Sequence, residues 1–154
     1  MFSLIITIIS IALVVALVAA TMYSGGDTLT NGRTSADAAA FVTGAQQISG
    51  AQVMHLSLEG KVATTVSGGA AGTDLVLDKY LASAPVVKAD AAGVWALDTA
   101  LKLVTNTVAT DPVCTQINKT AGVAAAKQSS AVAADFAGLP YGCVSATRTF
   151  QFKY

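Results

Sequence analysis

The chain has 154 residues, the usual size of one domain, and its nine basic and nine acidic side chains give a formal net charge of zero. Without net positive charge it has no long-range attraction for nucleic acid or for an anionic membrane surface, so no specific nucleic-acid partner is predicted. Charged residues make up 12% of the chain and hydrophobic residues 53%, whereas about 25% of a typical soluble domain is charged. This composition suits a subunit whose surface is largely covered by neighbouring chains or by lipid.

The first 20 residues form an uncharged, apolar segment, and the first charged residue of the chain is Asp27. Twenty helical residues rise about 30 Å, the thickness of the hydrocarbon core of a bilayer. Ser3, Thr7 and Ser10 interrupt the apolar run, but a hydroxyl can bond to a carbonyl one turn earlier and so remain inside a helix. The segment is therefore predicted to be an apolar helix.

This helix differs from a cleaved secretory signal, because no Lys or Arg precedes it and its apolar run is longer than a usual signal core. We expect it to be retained. The first basic residue, Arg33, follows the helix, and the positive-inside rule would weakly place the rest of the chain in the cytoplasm, whereas the cysteines favour export. A short basic leader, removed before assembly to leave Met1 as the mature N-terminus, would resolve this conflict.

Gly25 and Gly26 are predicted to break or loosen the helix, because glycine costs about 1 kcal/mol relative to alanine in a helix interior. The predicted organisation is an apolar assembly or transmembrane helix over residues 1–26 and a head over residues 27–154. A second helical stretch is expected from about Thr30 to Leu58.

The stretch between Asp37 and Glu59 contains no charged side chain. A helix bathed in solvent normally carries charges on its outer face. We therefore expect this helix to be covered on one side by its own domain and on the other by neighbouring subunits. A helix buried in a small globular core is the alternative.

The second half of the chain shows strand patterns, and the predicted fold class is α+β, with the helix packed on a small antiparallel sheet. Residues 67–73 and 123–134 are predicted loops, where contacts with surface partners are expected. A short helix is predicted from Asp111, at its cap, through Lys119, with Gly122 ending it. The predicted strands are residues 75–77, 94–97, 101–108 and 144–154.

Cys114 and Cys143 are the only cysteines. An even pair in an exported domain suggests a disulfide. It would tie the short helix to the last strand and contribute about 3–4 kcal/mol on a chain-entropy model. Two unpaired thiols in a cytosolic protein are the alternative. A zinc site is not predicted, because two cysteines and the distant His55 do not provide four ligands.

No catalytic residue, metal site or cofactor is predicted. His55 has no neighbouring nucleophile and is interpreted as structural, and the loop at residues 67–73 lacks the lysine of a phosphate-binding loop. Asp74 and Asp78 are interpreted as solvated surface charges. Asn118-Lys119-Thr120 matches a glycosylation triplet, a pattern that often arises by chance.

The layout of the whole chain resembles that of type IV pilins and pseudopilins. In that family a long N-terminal helix, apolar in its first half, packs by its second half on an antiparallel sheet, and a disulfide closes a C-terminal loop. Residues 1–20, 37–58 and 114–143 match these three parts, and residues 114–118 lie like the helix that carries the first cysteine in several members. A mature chain that starts with methionine resembles the type IVb subgroup. Most members have a glutamate where this chain has Ile5, thought to pair with a neighbour's N-terminal amine.

The resemblance implies a structural subunit of an extracellular, type IV pilus-like filament whose apolar helices pack into a shared core. The implied partners are other copies of the chain, the inner membrane before assembly and the pilus assembly machinery; no cofactor is implied. Gly25 and Gly26 would act as a hinge. Alternatives are a pseudopilin of a secretion system, a monomeric membrane-anchored binding domain and, least favoured, an anchored enzyme. The predicted assembly residues are Met1, Phe2, Leu4, Ile5, Ile8, Ile9, Ile11, Leu13, Val14 and Leu17.

Overall fold

The computed structural model describes residues 2–91 and 94–154. It confirms the predicted α+β class: a long N-terminal helix, a four-stranded antiparallel sheet and a Cys114–Cys143 disulfide. The chain divides into two compact units, Met1–Arg33 and Thr34–Tyr154. The elements are α1 (Phe2–Glu59), β1 (Ala96–Asp98), β2 (Leu103–Thr107), α2 (Asp111–Ala121), β3 (Tyr141–Val144) and β4 (Thr149–Lys153), with short 3-10 turns at Ala125–Lys127 and Ala133–Phe136.

Helix α1 includes Gly25 and Gly26, so the predicted break at this pair is wrong. Each glycine disfavours the helix by about 1 kcal/mol. Once helix exists on both sides, however, every further residue adds a backbone hydrogen bond, and this gain offsets the glycine cost. The hinge role of the pair stays a prediction. The predicted helix from Thr30 to Leu58 is confirmed, and α1 ends where Gly60 adopts a left-handed φ of 68°.

The part of α1 that belongs to the second unit packs one face on the sheet. Phe41 is fully buried, with its ring centroid 5.6 Å from that of Phe150 on β4 and 6.2 Å from that of Trp95. Full burial of one such side chain contributes about 1.5–3 kcal/mol. The buried positions recur every three or four residues, as an α-helix requires: Ala38, Phe41, Ala45, Ile48, Gln52 and His55.

The sheet has the strand order β1-β2-β4-β3, and every neighbouring pair is antiparallel. The predicted strand at residues 101–108 is confirmed as β2. The predicted final strand at residues 144–154 is confirmed as β4 over Thr149–Lys153. Its first part is wrong, because β3 ends at Val144 and the chain turns back before β4. Arg148 in this turn has a left-handed φ of 51°, a reversal that the alternation of polar and apolar residues could not indicate.

Residues 75–77 were also predicted as a strand, and this prediction is wrong. The side chain of Asp74 accepts hydrogen bonds from the backbone N–H groups of Val76 and Leu77, both at 2.9 Å. Such local side-chain bonds bend the chain and compete with strand pairing. The segment forms a turn, and Leu75 enters the core from it.

Helix α2 confirms the predicted short helix and extends two residues beyond it, to Ala121. Its N-cap is Thr110 and not Asp111, which is the first helical residue. Gly122 ends the helix with a left-handed φ of 92°. Its buried face carries Val113, Cys114, Ile117 and Asn118, so α2 covers the sheet with the cysteine turned inward.

Candidate functional site

The apolar part of α1 exposes large hydrophobic side chains in the first unit. Exposures of the eight predicted assembly residues from Leu4 to Leu17 range from 53% to 68%. Because apolar residues follow one another directly, as at Leu4, Ile5 and Ile6, they occupy every face of the helix and not one stripe. Met1, also a predicted assembly residue, lies outside the described residues.

Two hydroxyl groups of this segment are satisfied within the helix. Thr7 donates to the carbonyl of Leu4 and Ser10 to that of Ile6, each at 2.8 Å. A polar group that is already paired can enter an apolar environment at little cost. With a window of at least 18 residues that is long and apolar enough to cross a membrane, α1 is compatible with membrane anchoring.

The outer face of α1 in the second unit is uncharged. Val53, Met54 and Leu58 are 57%, 55% and 73% exposed, and no Asp, Glu, Lys or Arg occurs between Asp37 and Glu59. The predicted burial of the opposite face against the head is confirmed. That neighbouring subunits cover the outer face stays a prediction.

The loop that follows α1 is organised by two aspartates that were interpreted as solvated surface charges, and this interpretation is wrong. Asp74 is fully buried, and the Asp78 side chain is only 14% exposed. Asp78 accepts hydrogen bonds from the N–H of Gly72 at 2.8 and 2.9 Å and from the N–H of Asp74 at 3.2 Å. Both carboxylates therefore serve as acceptors for the loop backbone.

These hydrogen bonds determine the acidity of the two groups. Burial raises the pKa of Asp74, but the N–H groups of Leu77, Gly69 and Val76 and the hydroxyl of Thr65 outweigh it and hold this pKa below its ordinary value of 3.8.

The pKa of Asp78 is likewise lowered, first by the Gly72 N–H and, against the opposing effect of burial, by the Asp74 N–H and by His55. Both carboxylates therefore favour their charged form in the fold.

His55, near the end of α1, is fully buried against this loop. Its Nδ1 lies 2.8 Å from the carbonyl oxygen of Lys61, its Nε2 lies 3.4 Å from Asp78 Oδ2, and its ring packs edge-on against Tyr80. Because a carbonyl can only accept, Nδ1 carries the proton in this contact. The arrangement fits the structural role expected for His55.

Cys114 on α2 and Cys143 on β3 form the predicted disulfide, with their Cα atoms 5.4 Å apart. It joins α2 to β3, which is an outer strand of the sheet and not the last strand of the chain. Because the disulfide occupies both cysteines, they are not metal ligands. Among residues 2–91 and 94–154 no group of three or more His, Cys, Asp or Glu side chains is placed to hold a metal ion.

Two buried amides, whose roles were not predicted from the sequence, pair with backbone groups in the way a neighbouring strand would. Gln52 donates to the carbonyl of Ala63 at 2.8 Å and accepts from its N–H at 3.2 Å. Asn118 makes the same pair of bonds with Cys143, at 2.9 and 2.8 Å. The signal in the sequence was a polar amide at a core-facing helical position.

The burial of Asn118 also bears on the glycosylation triplet. The side chain is 0% exposed, and its nitrogen donates to the carbonyls of both Gln128 and Cys143. A glycan attached to this nitrogen would displace both bonds. The triplet is therefore not an acceptor site in the folded head.

The predicted contact loop at residues 123–134 forms one wall of a cleft beside the disulfide. The cleft has a volume of about 540 Å³ and is lined by hydroxyl groups of Thr115, Ser129 and Ser130. Ser145 also lines it, with a buried hydroxyl oxygen that has no hydrogen-bond partner among the described residues. The cleft is a surface feature of the head next to Cys114, and Ala131, Val132 and Ala146 also line it.

No protein-family model, no curated protein and no solved structure matches this chain.

Proposed function

We propose that the chain is a structural subunit of an extracellular filament of the type IV pilus kind, built by packing the apolar N-terminal helices of many copies into a shared core. The observation that carries this proposal is the apolar part of α1, whose large side chains are exposed on every face. Monomeric soluble proteins rarely expose an apolar surface of this extent. Lipid or other copies of the helix must cover it.

Both environments have a role in the proposed mechanism. Before assembly, α1 anchors the subunit in the inner membrane. Because lipid tails are as apolar as the helix, close packing between helices favours the filament over the membrane. Once the filament has left the membrane, the hydrophobic effect opposes its return to single subunits in water, by about 25 cal/mol for each Å² of apolar surface kept from water.

Assembly needs a contact between different faces of neighbouring copies, because a filament forms only when such head-to-tail contacts do not close into a ring. In this chain Ile5 stands where most type IV pilins have a glutamate. The register between neighbouring helices is therefore set by the shape of the apolar side chains and by the small residues Ser3, Thr7 and Ser10. The pilus assembly machinery is the partner that would move the subunit out of lipid.

The head supports assembly through helices and not through strand addition. An open edge strand can pair with another chain. Here β3 has the side chain of Asn118 bonded to its outer side, and β1 has a bridge from Thr65 to Ala96 on its outer side. Parts of both outer strands are thus already paired within the chain.

The proposal is tested by negative-stain electron microscopy of material sheared from the producing cells, combined with the intact mass of the subunit. Thin, uniform fibres made of this chain, with a mass two hydrogens below that of the reduced chain, would support it. The proposal would be contradicted if the chain occurred only in the membrane fraction and detergent extracted it as a monodisperse monomer.

That second outcome would favour a membrane-anchored binding domain, a candidate supported by the capacity of α1 to cross a membrane. A pseudopilin of a secretion system, which forms a short piston, would give membrane-fraction protein without long fibres and would co-purify with the secretion machinery. The three candidates are therefore distinguished by fibre length, solubility state and associated proteins.

A further inference from the structure

Cys143 is held by α2 through its backbone as well as through its sulfur. It lies on the outer strand β3, where its N–H and C=O groups bond to Asn118: the N–H donates to Asn118 Oδ1 at 2.8 Å, and Asn118 Nδ2 donates to the Cys143 carbonyl at 2.9 Å. Both residues are 0% exposed. An outer strand has no neighbouring strand on one side, and here the Asn118 amide makes the hydrogen bonds that such a neighbour would make to Cys143.

Cys114 lies one helical turn before Asn118, so the two side chains share the buried face of α2. By bonding to the backbone of Cys143, Asn118 therefore holds Cys143 next to the part of α2 that carries Cys114. A further bond from Asn118 Nδ2 to the carbonyl of Gln128, at 3.0 Å, fixes the orientation of the amide. None of these hydrogen bonds involves a sulfur atom.

We infer that Asn118 is a positioning residue for the disulfide, because it holds Cys143 against Cys114 in the reduced chain and so gives the two thiols a high effective concentration before oxidation. This role is independent of filament assembly. Asn118 thus acts in oxidative folding, in addition to satisfying the backbone N–H and C=O groups of Cys143.

The covalent step needs an oxidant, which is a disulfide compound such as oxidised glutathione. The thiolate of one cysteine attacks a glutathione sulfur, breaks the glutathione disulfide and releases one glutathione thiolate. The second cysteine thiolate attacks the protein sulfur of this mixed disulfide and releases the second. Two electrons pass to the oxidant, and the two thiol protons end on the two reduced glutathiones. Asn118 acts on the second attack, whose rate and equilibrium depend on the distance between the protein sulfurs.

The test equilibrates the full-length chain in detergent with buffers of reduced and oxidised glutathione, quenches with acid and measures the oxidised fraction by mass. Asn118→Leu keeps the branched shape of the side chain and removes both bonds to Cys143. We expect its effective thiol concentration to fall by at least about tenfold in native buffer and to equal that of the wild type in guanidinium. Lys119→Ala, at the exposed neighbouring position, should match the wild type in both.

A merely stabilising residue elsewhere in the core would not change this equilibrium while the head stays folded. Gly44→Ala, remote from both cysteines in sequence, serves as that second control and should leave the effective concentration unchanged. An effective thiol concentration for Asn118→Leu within about twofold of the wild type in native buffer would overturn the inference.

If this variant does not fold, hydrogen exchange of the reduced wild-type chain decides. A protected Cys143 amide supports the role, and exchange at the unfolded rate overturns it.

Discussion

Gly44 of α1 lies directly against the indole of Trp95. A Cβ atom at Gly44 would stand 2.8 Å from Trp95 Cζ2 and 3.3 Å from the Cβ of Pro85. The indole is held in place, because its Nε1 donates to the carbonyl of Pro85 at 2.7 Å and its ring packs edge-on against Phe41 and Phe150. The missing side chain at Gly44 is what allows Trp95 to fill the space between helix and sheet.

Gly44→Ala should therefore destabilise the head. Alanine favours the helix by about 1 kcal/mol, but overpacking in a closed core costs about 1–3 kcal/mol, and Trp95 cannot retreat without losing its hydrogen bond. We expect a net loss of about 1–2 kcal/mol in the free energy of unfolding, measured by urea titration of the full-length chain in detergent with the fluorescence of its single tryptophan.

Gly50→Ala is the matched control. Gly50 lies on the same helix, and a Cβ there would meet nothing within 4 Å. Only the helix preference remains, so this variant should gain about 0.5–1 kcal/mol. Equal effects of the two substitutions would show that the contact with Trp95 does not limit the size of residue 44.

The elements that the sequence predicted correctly are those with local signals. Helix α2 has Pro112 near its start and Gly122 after its end. The long helix follows from apolar composition alone. Such signals depend on neighbours within one or two turns, so they can be interpreted without the rest of the fold.

The errors have two different causes. The turn at Asp74 was missed although its signal was local, because an aspartate that bonds the N–H groups two and three residues later can bend even an apolar run such as residues 75–77. The roles of Gln52 and Asn118 were missed because their partners, Ala63 and Cys143, are 11 and 25 residues away. Helical spacing shows that an amide faces the core but not which backbone it will meet.

Asp74 should make the stability of the head depend on pH. Its pKa in the fold lies below the ordinary value of 3.8, so the folded chain binds this proton less readily than the unfolded chain does. The stabilisation by Asp74 is therefore fully present above about pH 4 and is lost as the pH falls through the lower folded pKa. Urea unfolding of the full-length chain in detergent at neutral pH and at about pH 2.5 measures this change.

Asp74→Asn tests the assignment. The amide has one acceptor oxygen where the carboxylate has two, so hydrogen bonds from Gly69, Val76 or Leu77 are lost. We expect a loss of about 2 kcal/mol at neutral pH and a smaller difference from the wild type at about pH 2.5. Asp111→Asn, at an exposed position, is the control and should change the stability less at neutral pH. A difference that does not shrink on acidification would show that the charge on Asp74 is not the stabilising feature.

Ile9→Asp should prevent the proposed filament. Ile9 is 54% exposed in the apolar part of α1, and an unpaired carboxylate in a packed apolar core or in lipid is strongly unfavourable. The head should stay folded, because residue 9 belongs to the other compact unit. Electron microscopy of sheared material should show no fibres, whereas Ile9→Leu should give normal ones. Fibres of ordinary length from Ile9→Asp would exclude an apolar helix core.

Met54→Lys distinguishes a filament subunit from a monomeric anchored domain. Met54 is 55% exposed on the uncharged outer face of α1, so a lysine there should leave the stability of the head within about 0.5 kcal/mol of the wild type. In a filament whose subunits cover this face, the lysine would be buried without a partner, and fibres should be fewer or more easily broken by salt and shear. Met54→Leu keeps the face apolar and should assemble normally. A monomeric anchored domain would tolerate both substitutions equally, because solvent, and not a neighbouring copy, covers Met54 there.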